Sequence, residues 1–336
     1  MGKQTVTLKD VAERAGMSVT QVSRALNGYN DVSASTKERI KALADEMGYI
    51  KNVAAQKLAT QCSNQIALVI KGMENDNKYN TYSAVYSVIR GIEAYTSKIN
   101  YDLTIYTIRE KMQSYVAYFN AKGITSAILI GFEYNDPYLS ELLESPIPCV
   151  CIDIPTTAGN NGCIIVNNSY YASEAVELLI KAGKKKIAMI TGKENAIVSM
   201  ERETGYKIAL AKHQIDWNTE FILKGNFERE TARECTKEIL KKYPDIDGFF
   251  CASDYMAIGC MEGIREMGKS IPEDIGVVGF DDIPVSEYLM PSLSTVAQNS
   301  YEKGYAAATL IHEIIRKENT PRIITLECEL KIRDSV

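Results

Sequence analysis

Val19, Thr20, Gln21, Ser23 and Arg24 fall on the outer side of one short helical pattern whose inward positions are Val22 and Leu26. Side chains of these types read nucleic acid: a guanidinium forks onto the edge of a guanine, and Val19 with the Thr20 methyl can meet thymine methyls. Catalytic chemistry is harder to assemble from this sequence. An enzyme would need a nucleophile beside a base, a phosphate-cradling glycine loop or a metal cluster. No G-x-x-x-x-G-K-[ST] occurs, and neither His213 nor His312 adjoins a credible partner. Cys62, Cys149, Cys151, Cys163, Cys235, Cys251, Cys260 and Cys328 are scattered, several within apolar runs such as PCVCID, where a thiol packs like Ala or Val. With no Cys-x-x-Cys, no metal site, disulfide framework or cofactor is expected.

The elements that hold the outward face follow from caps and periodicity. Thr7-Leu8-Lys9-Asp10 has the form of a capping box opening a helix with Leu8, Val11, Ala12 and Ala15 inward, and Gly16 stops it. Ser18 caps the second helix, leaving only Gly16-Met17 as a linker. Ser35-Thr36-Lys37-Glu38 reads as a capping box for a third helix, whose stripe of Ile40, Leu43, Ala44 and Met47 covers the first two. Two short helices joined by a glycine turn describe a helix-turn-helix, whose second helix enters the major groove. On spacing alone, an ordinary three-helix bundle with solvated polar faces fits as well.

The run TLKDVAERAGMSVTQVSRALNG, continued by VSASTKERIKALADEMGYIKNVAAQKLA, resembles the head and hinge of the LacI/GalR family of bacterial transcriptional repressors. The resemblance implies base readout by Val19, Thr20 and Arg24, and phosphate contacts by Thr7, Ser18, Ser23 and Asn27, which fix register without reading sequence. It also makes the segment Asn52 to Thr60 a hinge helix that orders on the operator and inserts Leu58 into the minor groove, with small Ala54 and Ala55 permitting close approach. An amphipathic linker with Leu58 packed inside the protein would look alike. Lys51 stands where the family usually has proline, which removes a fixed helix start and adds a phosphate-seeking charge.

Beyond residue 62, short apolar runs alternate with helical stretches. Strands are expected at Ile66–Ile70, Leu103–Tyr106, Ala127–Ile130, Cys149–Ile152, Ile187–Ile190, Phe249–Cys251 and Val277–Phe280, which makes parallel sheets flanked by helices. Ligands of such folds gather at the carboxyl ends of the strands. This part resembles the family's periplasmic-binding-protein-like effector domain of type I, through Gly91-Ile92-Glu93, Arg202-Glu203-Thr204-Gly205-Tyr206, Ala252-Ser253-Asp254, Val278-Gly279-Phe280-Asp281-Asp282 and Ala297-Gln298. The fold expected is therefore α/β, two doubly wound parallel-sheet lobes preceded by a small all-α helix-turn-helix domain. Residues 1–50 are assigned to the head and 51–62 to the hinge. The effector and dimerisation domain is 63–336, its first lobe about 63–157 plus 294–318 and its second about 158–293 plus 319–336. Crossovers are expected near Asp153–Gly162, near Met290–Thr295 and after Arg316.

By the same resemblance Arg202, Asp281, Gln298, Ser253, Phe227 and Asp153 are effector-binding candidates. Their chemistry suits a sugar: a carboxylate accepts from vicinal hydroxyls, a guanidinium donates a fork, and an aromatic face packs on C–H groups. A surface or interlobe salt bridge is the competing reading for Asp281 and Arg202, and a solvated hinge residue for Asp153. The family's pattern is broken by Ser253 in place of the usual asparagine and by Asn167-Asn168 where Asp-Asn is common. In place of the frequent Asn-Pro-Phe-Phe, ENDNKYNTYSAVYSVIRG supplies Tyr79, Tyr82 and Tyr86; Tyr79 or Tyr82 could stack on a ligand, or be ordinary loop and core tyrosines. Trp217 reads as surface packing.

Composition agrees with a folded regulator. Apolar residues make up 46% and charged residues 24%, near globular averages. The net charge of −5 divides unevenly: residues 1–60 hold nine Lys/Arg against six Asp/Glu, net +3, so the remainder carries −8. A basic head on an acidic body suits a polyanion-binding head. MGKQTVTLKD has no apolar core for a secretory signal, and no segment approaches the roughly 18 apolar residues of a membrane span, so a cytoplasmic protein without membrane contact is expected. The function expected is a sequence-specific repressor of carbohydrate-utilisation genes, homodimeric on a double-stranded operator and controlled by a small sugar-like effector. A purine-type corepressor-dependent regulator, or a carbon-catabolite regulator docking a phosphocarrier protein, is the alternative; Met290-Pro291 in place of arginine-proline weakens the latter.

Overall fold

The computed structural model describes residues 6–26, 29, 31–47, 49, 64–72, 82–108, 113–156 and 159–336. Two units separate, Met1–Ser63 and Asn64–Val336.

In the first unit, α1 (Leu8–Ala15) opens on the Thr7–Asp10 capping box and closes on Gly16 at φ 65°. Helix α2 (Val19–Leu26) opens on a second reciprocal box: the Gln21 amide donates to Ser18 Oγ at 3.2 Å and the Ser18 amide to Gln21 Oε1 at 3.1 Å. Helix α3 (Ala34–Glu46) starts earlier than its sequence suggests. Its cap is Ser33, whose hydroxyl accepts from the Thr36 amide at 3.3 Å, while Ser35 lies inside the helix. Ala34 extends the helix readily, so the Ser35–Glu38 pattern loses to a start two residues upstream. Val11, Ala12, Val22, Ala25, Ile40 and Ala44 form the core of this unit.

The second unit is two layered α/β lobes. In chain order its first part is β1 (Gln65–Lys71), α4 (Tyr82–Lys98), β2 (Asp102–Ile108), α5 (Tyr115–Lys122), β3 (Ala127–Ile130), α6 (Pro137–Glu144), β4 (Cys149–Ile152) and β5 (Gly162–Val166). The second part is α7 (Asn168–Lys181), β6 (Ile187–Thr191), α8 (Ile197–Lys212), β7 (Ile222–Lys224), α9 (Arg229–Lys242), β8 (Gly248–Cys251), α10 (Asp254–Glu266) and β9 (Gly276–Val278). Then come β10 (Thr295–Ala297), α11 (Ser300–Ile315), β11 (Ile323–Leu326) and β12 (Glu329–Lys331). One sheet runs β11-β5-β4-β3-β1-β2 and the other β7-β6-β8-β9, all neighbours parallel; β10 and β12 form a separate antiparallel pair.

Alternation splits the first sheet's core in two. Ile66, Leu68 and Ile70 face α4 and α11, whereas Ala67 and Val69 face α5 and α6 together with Cys149, Cys151 and Cys163. Burial pushes the Cys151 thiol up to about 12, so it packs as an inert small residue. Helices α4 and α11 cross backbone to backbone: a Cβ on Gly91 would lie 2.0 Å from the Tyr301 carbonyl oxygen, and one on Gly304 2.0 Å from that of Val88. That crossing fixes where the first turn of α11 meets the sheet.

The lobe boundaries differ from those expected. Gly162–Val166 and Ile323–Leu326 pair with the first sheet, so the crossovers follow Val166, Ala297 and Leu326. Both are short apolar runs, and a run of this kind does not say which of two sheets it joins. The first crossover therefore lies beyond the 153–162 stretch and the third beyond residue 318.

Candidate functional site

In the head, Val19 is 44% exposed and Thr20 is exposed beside it, although nothing in the folding of a three-helix unit asks for an exposed β-branched apolar residue at a helix start. Arg24 is partly engaged: its Nε donates to Asp31 Oδ2 at 2.8 Å, Nη2 lies 2.7 Å from the same oxygen, and the guanidinium sits 4.7 Å from the Tyr29 ring centre. Both partners of this ion pair are about half exposed, and such pairs contribute only about 0–1 kcal/mol, so a base edge can displace Asp31 cheaply. The Thr7 and Ser18 hydroxyls are used inside the caps, donating to Asp10 at 2.8 Å and to Gln21 at 3.1 Å. The Thr7 amide holds the Asp10 carboxyl below its ordinary range. Ser23 is half-buried. Asn27, Ala54, Ala55, Leu58 and Tyr79 lie outside the described residues, as does the Tyr82 side chain.

Between the lobes of the second unit lies a cavity of about 300 Å³. Asp153, Phe227, Ser253 and Asp281 line it, so four residues from distant parts of the sequence meet at the carboxyl ends of β4, β7, β8 and β9. Ser253 also caps α10, accepting from the Met256 amide at 3.2 Å. Phe227 lies against Gly192, where a Cβ would come within 2.1 Å of the ring. Asp153, Asn226, Phe227, Asp281 and Asp282 all have positive φ, from 54° to 125°. Strained non-glycine backbone gathered at one cleft marks a place shaped for a ligand rather than for folding.

Arg202 and Gln298 do not line the cavity; they stand behind Asp281. Arg202 is 3% exposed, donating from Nε to Asn168 Oδ1 at 3.0 Å and from Nη1 to the Ala252 carbonyl at 2.5 Å. Its guanidinium lies 3.8 Å over the Phe280 ring, with Nη1 3.7 Å from Asp281 Oδ1. Gln298 Nε2 donates to Asp281 Oδ1. Burial raises the Asp281 carboxyl above its usual range, opposed by Arg202 and Gln298. Of the Asn167-Asn168 pair, Asn167 caps α7 and Asn168 bridges Arg202 to Glu201. Trp217, 44% exposed, lies at the surface under the Lys207 ammonium.

Lys303 was not legible as a site residue, yet it completes this chain. Only 3% exposed, it donates to Asp153 Oδ1 at 2.7 Å and to Gln298 Oε1 at 2.5 Å. The path Asp153–Lys303–Gln298–Asp281 thus runs without a break from the first lobe to the second, with Arg202 beside its last member. The signal was present: Lys303, Ala307, Leu310, Ile311 and Ile314 share one buried stripe of α11, with one charge among apolar residues. Lys71 and Lys193, on opposite walls of the cavity, were also missed.

A helical head with an outward reading face, followed by two doubly wound lobes around a largely apolar cleft with a few convergent polar groups, defines a ligand-responsive DNA-binding regulator. Comparison with known proteins supports this class. Residues 7–52 match the model for bacterial regulatory proteins of the lacI family, and residues 176–336 match that for the periplasmic binding protein-like domain. The chain is 32% identical over 334 residues to the probable HTH-type transcriptional repressor ExuR of Bacillus subtilis, and 31% identical over 336 residues to the HTH-type transcriptional repressor PurR of Vibrio vulnificus. Each match covers 98% of both chains. The solved complex of the transcriptional regulator CelR with cellobiose superimposes with a TM-score of 0.74 at 27% identity, covering 98% of this chain and 100% of that one. The chain belongs to the lacI family of bacterial regulatory proteins, and it is a DNA-binding regulator rather than an enzyme. No helix among the described residues is long and apolar enough to cross a membrane.

Proposed function

We propose that this protein is a cytoplasmic, homodimeric repressor of carbohydrate-utilisation genes, whose grip on a palindromic operator is set by a small sugar-like effector in the interlobe cleft. The observation that carries this reading is the cavity whose Asp281 wall is hydrogen-bonded, through Gln298 and Lys303, to Asp153 on the other lobe. A ligand that engages Asp281 and Asp153 acts on both ends of this path, so its affinity differs between open and closed lobes. Differential affinity is what lets it shift the equilibrium. Asp281, Ser253, Phe227 and Asp153 contact the ligand in this reading, Arg202 and Gln298 hold Asp281 in place, and Tyr79 or Tyr82 stacks on the ligand.

On DNA, Val19, Thr20 and Arg24 read bases. Thr7, Ser18, Ser23 and Asn27 meet phosphates, and Ala54, Ala55 and Leu58 enter the minor groove. One head is too small for tight specific binding, and two-fold symmetry doubles the contact. Arg24→Ala is expected to weaken binding to a duplex recovered by selection from random sequence by about 1–3 kcal/mol and to relax the preference at one base pair. Competition binding against random duplex checks this. Equal losses on selected and random DNA would reduce Arg24 to a phosphate contact.

A further inference from the structure

We infer that the effector carries an anionic group, a carboxylate or a phosphate on a sugar-sized body, held between Lys193 and Lys71 on facing lobes. The inference rests on the proposed effector cleft and names the class of ligand it takes. Lys71 ends β1 in the first lobe, and Lys193 follows β6 in the second; both line the cavity. Lys193 reaches across the cleft, its Nζ 4.0 Å from where a Cβ on Gly72, the residue after Lys71, would stand. The two lobes thus each bring an ammonium to the cavity, and an anion held between them is attracted by both.

The carboxylates of the wall do not supply that anion. Asp153 is bonded to Lys303, Asp281 to Gln298 with Arg202 3.7 Å away, and Glu228 accepts from the Thr231 hydroxyl at 2.7 Å. The carboxylate of Glu133, half-exposed on the first-lobe wall, has no hydrogen bond or ion pair among the described residues and is an acceptor for hydroxyl donors. Lys71 is fixed rather than free: its Nζ lies 2.6 Å from Asp136 Oδ2, which also accepts from the Tyr115 hydroxyl at 2.5 Å. An ammonium has three donors, so Lys71 keeps capacity for a ligand while Asp136 holds it in position. Lys193 has no ion pair among the described residues.

The surroundings of Lys193 point the same way. It sits in the β6–α8 loop, and Ala196, Ile197 and Val198, at the start of α8, line the cavity. No side chain caps this helix, so the positive end of its dipole lies uncompensated at the wall that Ala196, Ile197 and Val198 form.

The test is calorimetric titration of the full chain with matched sets: glucose, glucuronate and glucose 6-phosphate, and the galactose counterparts. At least one acid is expected to bind roughly tenfold or more tighter than its neutral partner, with affinity falling as salt rises. Which acid wins distinguishes carboxylate from phosphate. Lys193→Gln is expected to erase the advantage and Lys193→Glu to invert it. Lys193 is half-exposed, so these variants keep the fold that Lys71→Gln, by stranding buried Asp136, would put at risk. Neutral sugars binding as tightly as the acids, or an acid preference indifferent to Lys193, overturns the inference while leaving the sugar-responsive cleft intact. No binding by any of the six overturns both.

Discussion

Asp281→Ala is expected to leave operator affinity near that of the unaltered protein when no effector is present and to remove the response at effector concentrations that suffice for the unaltered protein. Asp281 presents its carboxylate to the cavity while Gln298 and Arg202 hold it from behind. Its removal strips two acceptors from the ligand's hydroxyls and leaves Gln298 Nε2 without its partner. Hydrogen bonds to a charged group contribute about 1.5–3 kcal/mol, so affinity is expected to fall by about one to two orders of magnitude. Asp281→Asn keeps the shape and the bond to Gln298 in one amide orientation, so it separates lost charge from lost packing. Thermal shift against ligand concentration reads the loss, and a half-maximal concentration unchanged in both variants would move the ligand away from this wall.

The second large effect concerns Asp254, which does not line the cavity. It is fully buried at the start of α10, and its Oδ2 accepts from the Ile283 amide at 3.0 Å and the Ser286 hydroxyl at 2.6 Å; its Oδ1 accepts from Thr295. One carboxylate thus joins α10, the turn at Pro284–Tyr288 and β10, the strand that leads into Gln298. Asp254→Ala strands three buried donors, each costing about 1–3 kcal/mol, and is expected to destabilise the second unit by about 3–5 kcal/mol.

Burial, and then the charge of Asp281, push the Asp254 carboxyl up to about 7 from an ordinary 3.8. The folded state therefore keeps a proton between these values that the unfolded chain has released. The contribution of Asp254 is largest below about pH 4 and falls by about 1.4 kcal/mol per unit as pH rises toward 7. Denaturant melts at pH 5 and pH 7 are expected to show wild type losing more stability over that interval than Asp254→Asn. Parallel losses would mean that Asp254 is ionised throughout.

Much of the head could be read in advance because its determinants are local. Thr7 with Asp10, Ser18 ahead of Val22 and Leu26, and Gly16 between them act within a few residues of one another. The strands Ala127–Ile130 and Cys149–Ile152 likewise coincide with apolar runs. Gly162–Val166 and Ile323–Leu326 are short apolar runs as well and were overlooked; what the pattern does not carry is their place in the first sheet, which pairing decides.

The cleft was legible by position but not by depth. Asp153, Phe227, Ser253 and Asp281 do meet at the cavity, whereas Arg202 turns inward because Phe280, Asn168 and the Ala252 carbonyl satisfy it there. Lys303 stands on the apolar stripe of α11, which marks it as inward, but its partner is not legible until Asp153, 150 residues away, is brought to it. The positive φ values at Asp153, Phe227 and Asp281 have no sequence signature at all.

The most direct measurement is the affinity of the full chain for a labelled duplex, obtained by selection, with and without a saturating concentration of the tightest ligand from the titrations. The account predicts that the duplex is an inverted repeat, that ligand moves its dissociation constant by roughly tenfold or more, about 1.4 kcal/mol of coupling, and that Asp281→Ala removes the shift. A ligand that saturates the cleft while the duplex affinity stays unchanged would contradict the claim that this cavity governs DNA binding.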